Sequence, residues 1–245
     1  MTAGASDKVY DGLLTSPGVP TITSGTLAAG DTAPAWVETY DSKNVGTTHV
    51  MTVTPAPVND GNGGANYTVT YNTIATGVIT KAPTIATVNV LPNPQQYSDK
   101  VNFRASLTPA AINGTAPATG VTFKVSSQVM GTASFSVSNG MLQASLSNVA
   151  LLETVVGQMA PGSRTVTAEF TDVNPNFSVT DNTTTLTINK EDARATYTGA
   201  LFVGTASATS GRAIVTLAAT IQISRQLRLL IRPMTLSLEI SGTPR

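Results

Sequence analysis

GVTFKVSSQVMGTASFSVSNGMLQASL, residues 120–146, is the stretch whose reading decides the fold. Val121, Phe123 and Val125 alternate with Thr122, Lys124 and Ser126. After the break at Met130-Gly131, Ala133, Phe135 and Val137 repeat the pattern against Ser134, Ser136 and Ser138. A period of two puts alternate side chains on opposite faces, so these segments read as strands buried on one face. Asn139-Gly140 then gives a strong hairpin signal, because a type I′ turn needs positive φ at both central residues. A two-residue loop there pairs Ser138 with Met141, Val137 with Leu142, Phe135 with Ala144 and Ala133 with Leu146. The three inner pairs are apolar, so turn and pattern select one register.

Working outward, the composition fits a β protein with hydroxylated faces. Hydrophobic residues make up 41% of the chain, but aromatic residues only 5% and charged residues 11%. Soluble domains usually carry roughly 25% charge; here Thr, Ser, Ala, Gly, Val and Asn fill the gap, suiting strands and short turns. At 245 residues the chain exceeds a domain of about 100–200 residues, so more than one is expected. With no cysteine, disulfides and thiolate chemistry are excluded, as in bacterial surface modules that fold without such staples. No run of about 20 apolar residues occurs, and no signal-peptide pattern opens the chain. The two readings open here are a piece of a longer exported protein whose export signal lies outside this sequence and a cytoplasmic protein; we favour the first. Through Ile223 there are 10 basic and 13 acidic residues, a net of −3. That leaves no basic field for nucleic acid and no polybasic membrane anchor.

In chain order, residues 6–81 carry Asp7-Lys8-Val9-Tyr10-Asp11-Gly12, Gly25-Thr26-Leu27-Ala28-Ala29-Gly30-Asp31, Ser42-Lys43-Asn44-Val45-Gly46-Thr47 and Ala65-Asn66-Tyr67-Thr68-Val69. This ordered series resembles the YDG domain, found in tandem arrays in large bacterial surface proteins. Strands are expected over Ala35–Tyr40, Thr47–Thr54, Tyr67–Tyr71 and Ile74–Thr80, with Tyr10 and Tyr67 as core anchors whose hydroxyls lie near the rim. Lys81-Ala82-Pro83 is the expected boundary, an apolar-poor linker between two independently folding units.

Residues 83–190 carry Leu91-Pro92-Asn93-Pro94, Ser98-Asp99-Lys100-Val101-Asn102-Phe103, Gly120-Val121-Thr122-Phe123, Pro161-Gly162-Ser163-Arg164-Thr165-Val166-Thr167-Ala168-Glu169-Phe170 and Asn174-Pro175-Asn176-Phe177. These resemble the bacterial Ig-like repeat domain. Seven strands are expected, near Ala86–Leu91, Val101–Leu107, Val121–Ser126, Thr132–Ser138, Met141–Ser147, Arg164–Thr171 and Val179–Ile188, the number that an Ig-like sandwich requires. Ala150–Ala160 interrupts the pattern as an extended hairpin loop or a single helical turn. Residues 191–223 resemble the opening of a further repeat, with strands over Ala200–Val203 and Ala213–Ile221. Residues 224–245 change character abruptly: three arginines, Arg225, Arg228 and Arg232, stand among bulky aliphatics. Degenerate codons permit a shifted frame reading Tyr-Asp-x-Phe-x-Gly-Asp-Ile-Arg-Asn, so this tail is read as out of frame and non-native, without an evolved partner strand.

Few catalytic arrangements are open with one histidine and no cysteine. His49 lies between Thr48 and Val50 on an expected strand, with no serine elbow or metal-type spacing around it, and reads as an ordinary strand histidine. Glu153, Glu169, Asp172 and Asp181 are the acids to consider as a glycosidase pair, which needs two carboxyls about 5–10 Å apart. Glu169 reads as an outward strand position and Asp172 as a turn residue. Asp60-Gly61-Asn62-Gly63-Gly64-Ala65-Asn66 and Asp172-Val173-Asn174 have the flavour of calcium loops. Neither supplies the bidentate Glu of an EF-hand, and the same residues dominate ordinary turns. A Lys–Asn crosslink would use Lys100 or Lys124, but no inward-facing lysine is evident. Trp36 with the tyrosines is a sugar-stacking candidate, though a lone strand Trp reads first as partly core.

The expectation is therefore an all-β chain of tandem small β domains, the second an Ig-like sandwich, with no catalytic, cofactor-binding or metal residues. The resemblances imply a non-catalytic structural or adhesive repeat module of an extracellular or cell-surface protein. Its expected partners are neighbouring repeat domains of the same chain, with surface glycans or cell-surface proteins next, and neither nucleic acid nor membrane insertion. The alternative is a carbohydrate-binding accessory region of a secreted hydrolase.

Overall fold

The computed structural model describes residues 1–204, 207–209, 212–223 and 234–241. It is all β: no helix occurs among the described residues, hence none long and apolar enough to cross a membrane.

The first unit contains β1 (Asp7–Val9), β2 (Glu38–Tyr40), β3 (Gly46–Val53) and β4 (Ile74–Thr80) in the sheet order β1-β4-β3-β2. The β1–β4 pair is parallel and the others are antiparallel. Its core is Ala3, Tyr10, Tyr40, Met51, Val53 and Ile79, each at most 5% exposed. Residues before Ser6 belong to it as well: Ala3 N donates to Asn72 O at 3.1 Å and Gly4 N to Glu38 Oε2 at 2.6 Å. The strand expected over Tyr67–Tyr71 does not form. Its Tyr-Thr-Val-Thr-Tyr alternation is real, but this stretch finds no partner ladder. Ala35–Tyr40 likewise shortens to three residues.

The second unit opens with β5 (Ala82–Pro83), β6 (Ile85–Leu91), β7 (Gln95–Gln96), β8 (Lys100–Thr108) and β9 (Gly120–Val125). It continues with β10 (Gln128–Ser134), β11 (Ser136–Ser138), β12 (Met141–Ala150), β13 (Gly162–Thr171), β14 (Phe177–Ser178) and β15 (Asn182–Asn189). One sheet runs β11-β12-β8-β6 and the other β10-β9-β13-β15-β7. Relabelled as immunoglobulin strands, the first is D-E-B-A and the second holds C-F-G, so the unit is an Ig-like sandwich. Inward residues of both sheets build the core, with Phe103 stacked on Phe123 across it at 5.5 Å and 28°. The outward faces carry hydroxyls in register, Thr165 opposite Thr185 and Thr167 opposite Thr183.

The hairpin register holds at Ser138–Met141 and Val137–Leu142, with φ of 51° at Asn139 and 74° at Gly140. It extends one residue more, to Ser136–Gln143, and no further. The strand expected over Thr132–Ser138 breaks at Phe135, and Ala133 pairs with Val121 in the opposite sheet rather than with Leu146. The chain thus changes sheets within one apolar-alternating run. Phe135 at the crossing stacks on Phe170 at 6.0 Å, while Val137, on the edge strand β11, is 68% exposed. Within the expected interruption Ala150 still belongs to β12, and residues 151–160 form a loop without a helical turn, pinned by buried Leu151 and Met159. Gln128 organises it: Oε1 accepts from Thr154 N and Val155 N, and Nε2 donates to Leu152 O.

The boundary is not a free linker. Ala82 is 1% exposed, its amide donates to Asn176 O at 2.9 Å, and β5 pairs with β14 of the sandwich. Phe177, from β14, lies in the apolar cluster of the first unit. The two units thus share a packed joint.

Beyond it, β16 (Ala193–Tyr197), β17 (Arg212–Ile223) and β18 (Met234–Ser241) form an antiparallel sheet. Ala200–Val203 is not a strand. The out-of-frame reading falls partly on residues 224–233 and 242–245, outside the described residues; within it, Met234–Ser241 pairs with Arg212–Ala219.

Truncating Phe123, which is fully buried, to alanine is expected to cost about 3–5 kcal/mol, while Val137→Ala stays within about 0.5 kcal/mol as for surface positions. Denaturant melts check this, and equal effects would overturn the facing assigned to these strands.

Candidate functional site

Between β1 and β2 the first unit has a long run without regular strands. Single bridges fasten it: Thr2 to Thr21, Thr15 to Thr39 and Thr32 to Asn59. Residues 22–27 of this run face residues 67–70 across a cleft of about 320 Å³, whose walls include Leu27, Trp36, Val58, Tyr67 and Asn72. Trp36 is half-buried against the core and its Nε1 donates to Ala56 O at 3.2 Å. Tyr67, expected as a core anchor with its hydroxyl near the rim, is half-buried in the cleft wall and outside the apolar cluster; its hydroxyl donates to Asp31 Oδ2 at 2.6 Å and accepts from Ala28 N at 2.8 Å. Hydrogen bonding to Asp31 pushes the Tyr67 phenol above its usual 10.0, against the Ala28 amide, which lowers it. No Asp, Glu, Lys, Arg or His lines the cleft. A cleft of this kind, with Trp36 and Tyr67 beside hydroxyl and amide groups, suits a hydroxylated ligand.

His49 does have one triad-like contact. Its Nδ1 lies 2.7 Å from Asp41 Oδ1, and its ring stands edge-on to Tyr40 at 5.7 Å. The other nitrogen, Nε2, is buried without a partner, and a Cβ at Gly46 would stand 2.6 Å from it. Gly46 can pack close to this side of the ring because it has no side chain, and the histidine lies in the bulged part of β3.

The four acids considered as a pair have separate structural duties. Glu169 meets Lys124 at 2.5 Å, and Asp181 accepts from Phe170 N at 3.0 Å. Asp172 accepts from Thr119 Oγ1 at 3.0 Å, and Glu153 from Met159 N at 3.4 Å. In the Asp60 loop, Oδ1 accepts from Asn62 N and Gly64 N at 2.8 Å and Oδ2 from Asn66 N at 3.1 Å. Those amides, Gly64 first, hold the Asp60 carboxyl below its usual 3.8. The same carboxylate that suggested a calcium ligand thus serves as the loop's own cap. Among the described residues no group of three His, Cys, Asp or Glu side chains gathers at one point.

Lys100 is exposed, and Lys124 lies on the outer face. The inward lysine is Lys8, which the sequence reading missed: its side chain is 9% exposed. Its Nζ donates to Asp11 Oδ1 at 2.8 Å, Leu13 O at 2.7 Å and Thr15 O at 2.9 Å, and lies 5.0 Å from the Tyr40 ring centroid. The only available signal was Asp11 three residues on, which reads equally well as a turn residue. Glu38, 1% exposed, is a second buried charge-bearing group; it accepts from Gly4 N and from Ser16 Oγ at 2.8 Å.

A YDG domain is found at residues 1–75. No curated protein and no solved structure matches the chain.

Two outcomes are expected. Replacing Asp31 with Asn should bring the Tyr67 ionisation back toward 10.0, followed by ultraviolet difference titration; an unchanged titration would remove Asp31 as the cause. Asp60 is depressed in the folded state, so its contribution is whole above 3.8 and is lost as pH falls through the folded value. Asp60→Asn should therefore lower the melting temperature near neutral pH, and the gap to wild type should close as pH falls below 3.8.

Proposed function

We propose that this chain is a non-catalytic stretch of repeat modules from a large extracellular bacterial surface protein, in which stacked β domains space or present a binding region. The observation that carries the reading is the packed joint: Ala82 and Phe177, each 1% exposed, continue one apolar cluster from the YDG domain into the sandwich. A spacer works by holding its modules in a set relation, which a buried joint favours and an open linker does not. The bacterial Ig-like repeat is the family we assign to the sandwich, on the motifs around Pro161–Phe170 and Asn174–Phe177. Charge supports a partner other than nucleic acid, since residues 1–75 hold two lysines against six carboxylates. The hydrogen bonds that engage the four acids and the burial of His49 Nε2 support a non-catalytic role.

A second reading is favoured by one observation, the cleft lined by Trp36 and Tyr67 without an acidic or basic side chain. In it the chain is a carbohydrate-binding accessory region of a secreted hydrolase.

Protease added to intact source cells is expected to digest the protein. Digestion only after lysis would overturn the extracellular reading. Retention on a neutral polysaccharide column, lost in Trp36→Ala, would replace the spacer reading with the second one.

A further inference from the structure

Tyr10-Asp11-Gly12 sits at the joint, not at the cleft. Tyr10 is 2% exposed, and its ring meets Phe177 of the sandwich edge-on at 5.4 Å and 67°. Asp11 Oδ1 accepts from Lys8 Nζ and from Leu13 N at 2.9 Å, tying the turn back onto β1. Gly12 has φ of 74°, and its carbonyl accepts from Asn113 Nδ2 of the sandwich at 2.9 Å. A Cβ at Gly12 would stand 2.7 Å from Asn113 Cβ. Each of the three residues thus has a distinct duty at this surface: ring contact, turn closure and close backbone approach.

The facing surface is built to match. Asn174 Oδ1 accepts from Asn176 N at 3.0 Å and Asn174 O from Phe177 N at 3.1 Å, so the corner is shaped by its own hydrogen bonds. It projects Phe177 into the first unit, while Asn176 Oδ1 accepts from Val45 N at 2.8 Å and Asn176 Nδ2 donates to Asn44 Oδ1 at 3.0 Å. Asn176 is itself 7% exposed. These polar contacts across the joint join amides and carbonyls, so recognition there works by shape and hydrogen-bond pattern.

We propose that Tyr10-Asp11-Gly12, together with Asn44-Val45, is a docking socket whose partner is the Asn-Pro-Asn-Phe corner of the Ig-like module that follows it. The tripeptide is then a coupling element between repeats, one that accepts a preformed amide-rich turn with a projecting phenylalanine. A following module without that aromatic residue would leave the end of the first core open. This inference stands apart from where the protein resides and from whether the cleft holds a sugar.

The test uses the full chain and native tryptic cleavage after Lys81, which adjoins buried Ala82. Gly25 is the matched control for Gly12: its φ is 79°, and a Cβ there meets nothing within 4 Å. Gly12→Ala is expected to speed cleavage after Lys81 by about tenfold or more, and Gly25→Ala to leave it within about twofold, since cleavage tracks the open population. Phe177→Ala and Asn113→Gly, both in the sandwich, should speed it too, the first more than the second. Cleavage after Lys8, whose side chain is buried in the first unit, separates unfolding of that unit from opening of the joint. If Gly12→Ala exposes Lys8 as well, the two sandwich variants decide: faster cleavage confined to Lys81 supports the socket. Protection at Lys81 equal to wild type in both of them overturns it.

Discussion

The contact on which this arrangement rests is one phenylalanine placed in another module's core. Phe177 belongs to the sandwich by strand and to the first unit by burial. The first unit is small and has few large apolar side chains of its own, and domains of that size stand near the limit of what one core supports. Burying a phenylalanine side chain is worth about 1.5–3 kcal/mol, a large share of what such a unit can hold in reserve. The neighbour therefore contributes to the stability of the first unit as well as to its position.

The rest of the chain makes the same economical use of aromatic residues. Phe103 and Phe123 stack in the centre of the sandwich, and Phe135 and Phe170 stack where the chain changes sheets. Between them the inward positions are filled by Val, Ala, Leu and Ile, and the outward ones by Thr and Ser. Thr suits that outer face because it is β-branched and carries its own hydrogen-bonding group. Charge does little of this work. Lys8–Asp11 and Lys124–Glu169 are ion pairs and His49 is hydrogen-bonded to Asp41, and pairs with an exposed partner stabilise weakly.

This explains which parts of the structure were legible in the sequence. The sandwich strands were, within a residue or two at most ends, because each is buried on one face and so alternates. The hairpin was legible at its turn, where Asn139-Gly140 fixes the backbone. What alternation does not carry is the identity of the partner strand. Ala133 and Phe135 alternate correctly whichever sheet they join, so the change of sheet between them left no mark. Tyr67–Tyr71 shows the converse: alternation without a neighbouring ladder to complete it. In the first unit, where long irregular runs are held by single bridges and by side chains such as Glu38, periodicity had little to report.

The candidate sites follow a similar logic, because residue type alone does not tell whether a polar side chain faces a ligand or its own backbone. Asp60 has the residue type and setting of a metal ligand, yet its oxygens face three amides of its own loop. His49 has the acid partner of a catalytic histidine, yet its second nitrogen is buried without a partner. Lys8 lay one residue before Val9 in a short strand with nothing to mark it as buried, and its burial is compensated by one carboxylate and two carbonyls brought round by the Asp11-Gly12 turn. That turn is needed twice, once to satisfy Lys8 and once to present the Gly12 carbonyl to Asn113. A side chain at position 12 would disturb both, through strain at positive φ and through the approach to the sandwich. The local requirement of the turn and the long-range requirement of the joint thus converge on the same glycine, and neither can be read from the tripeptide in isolation.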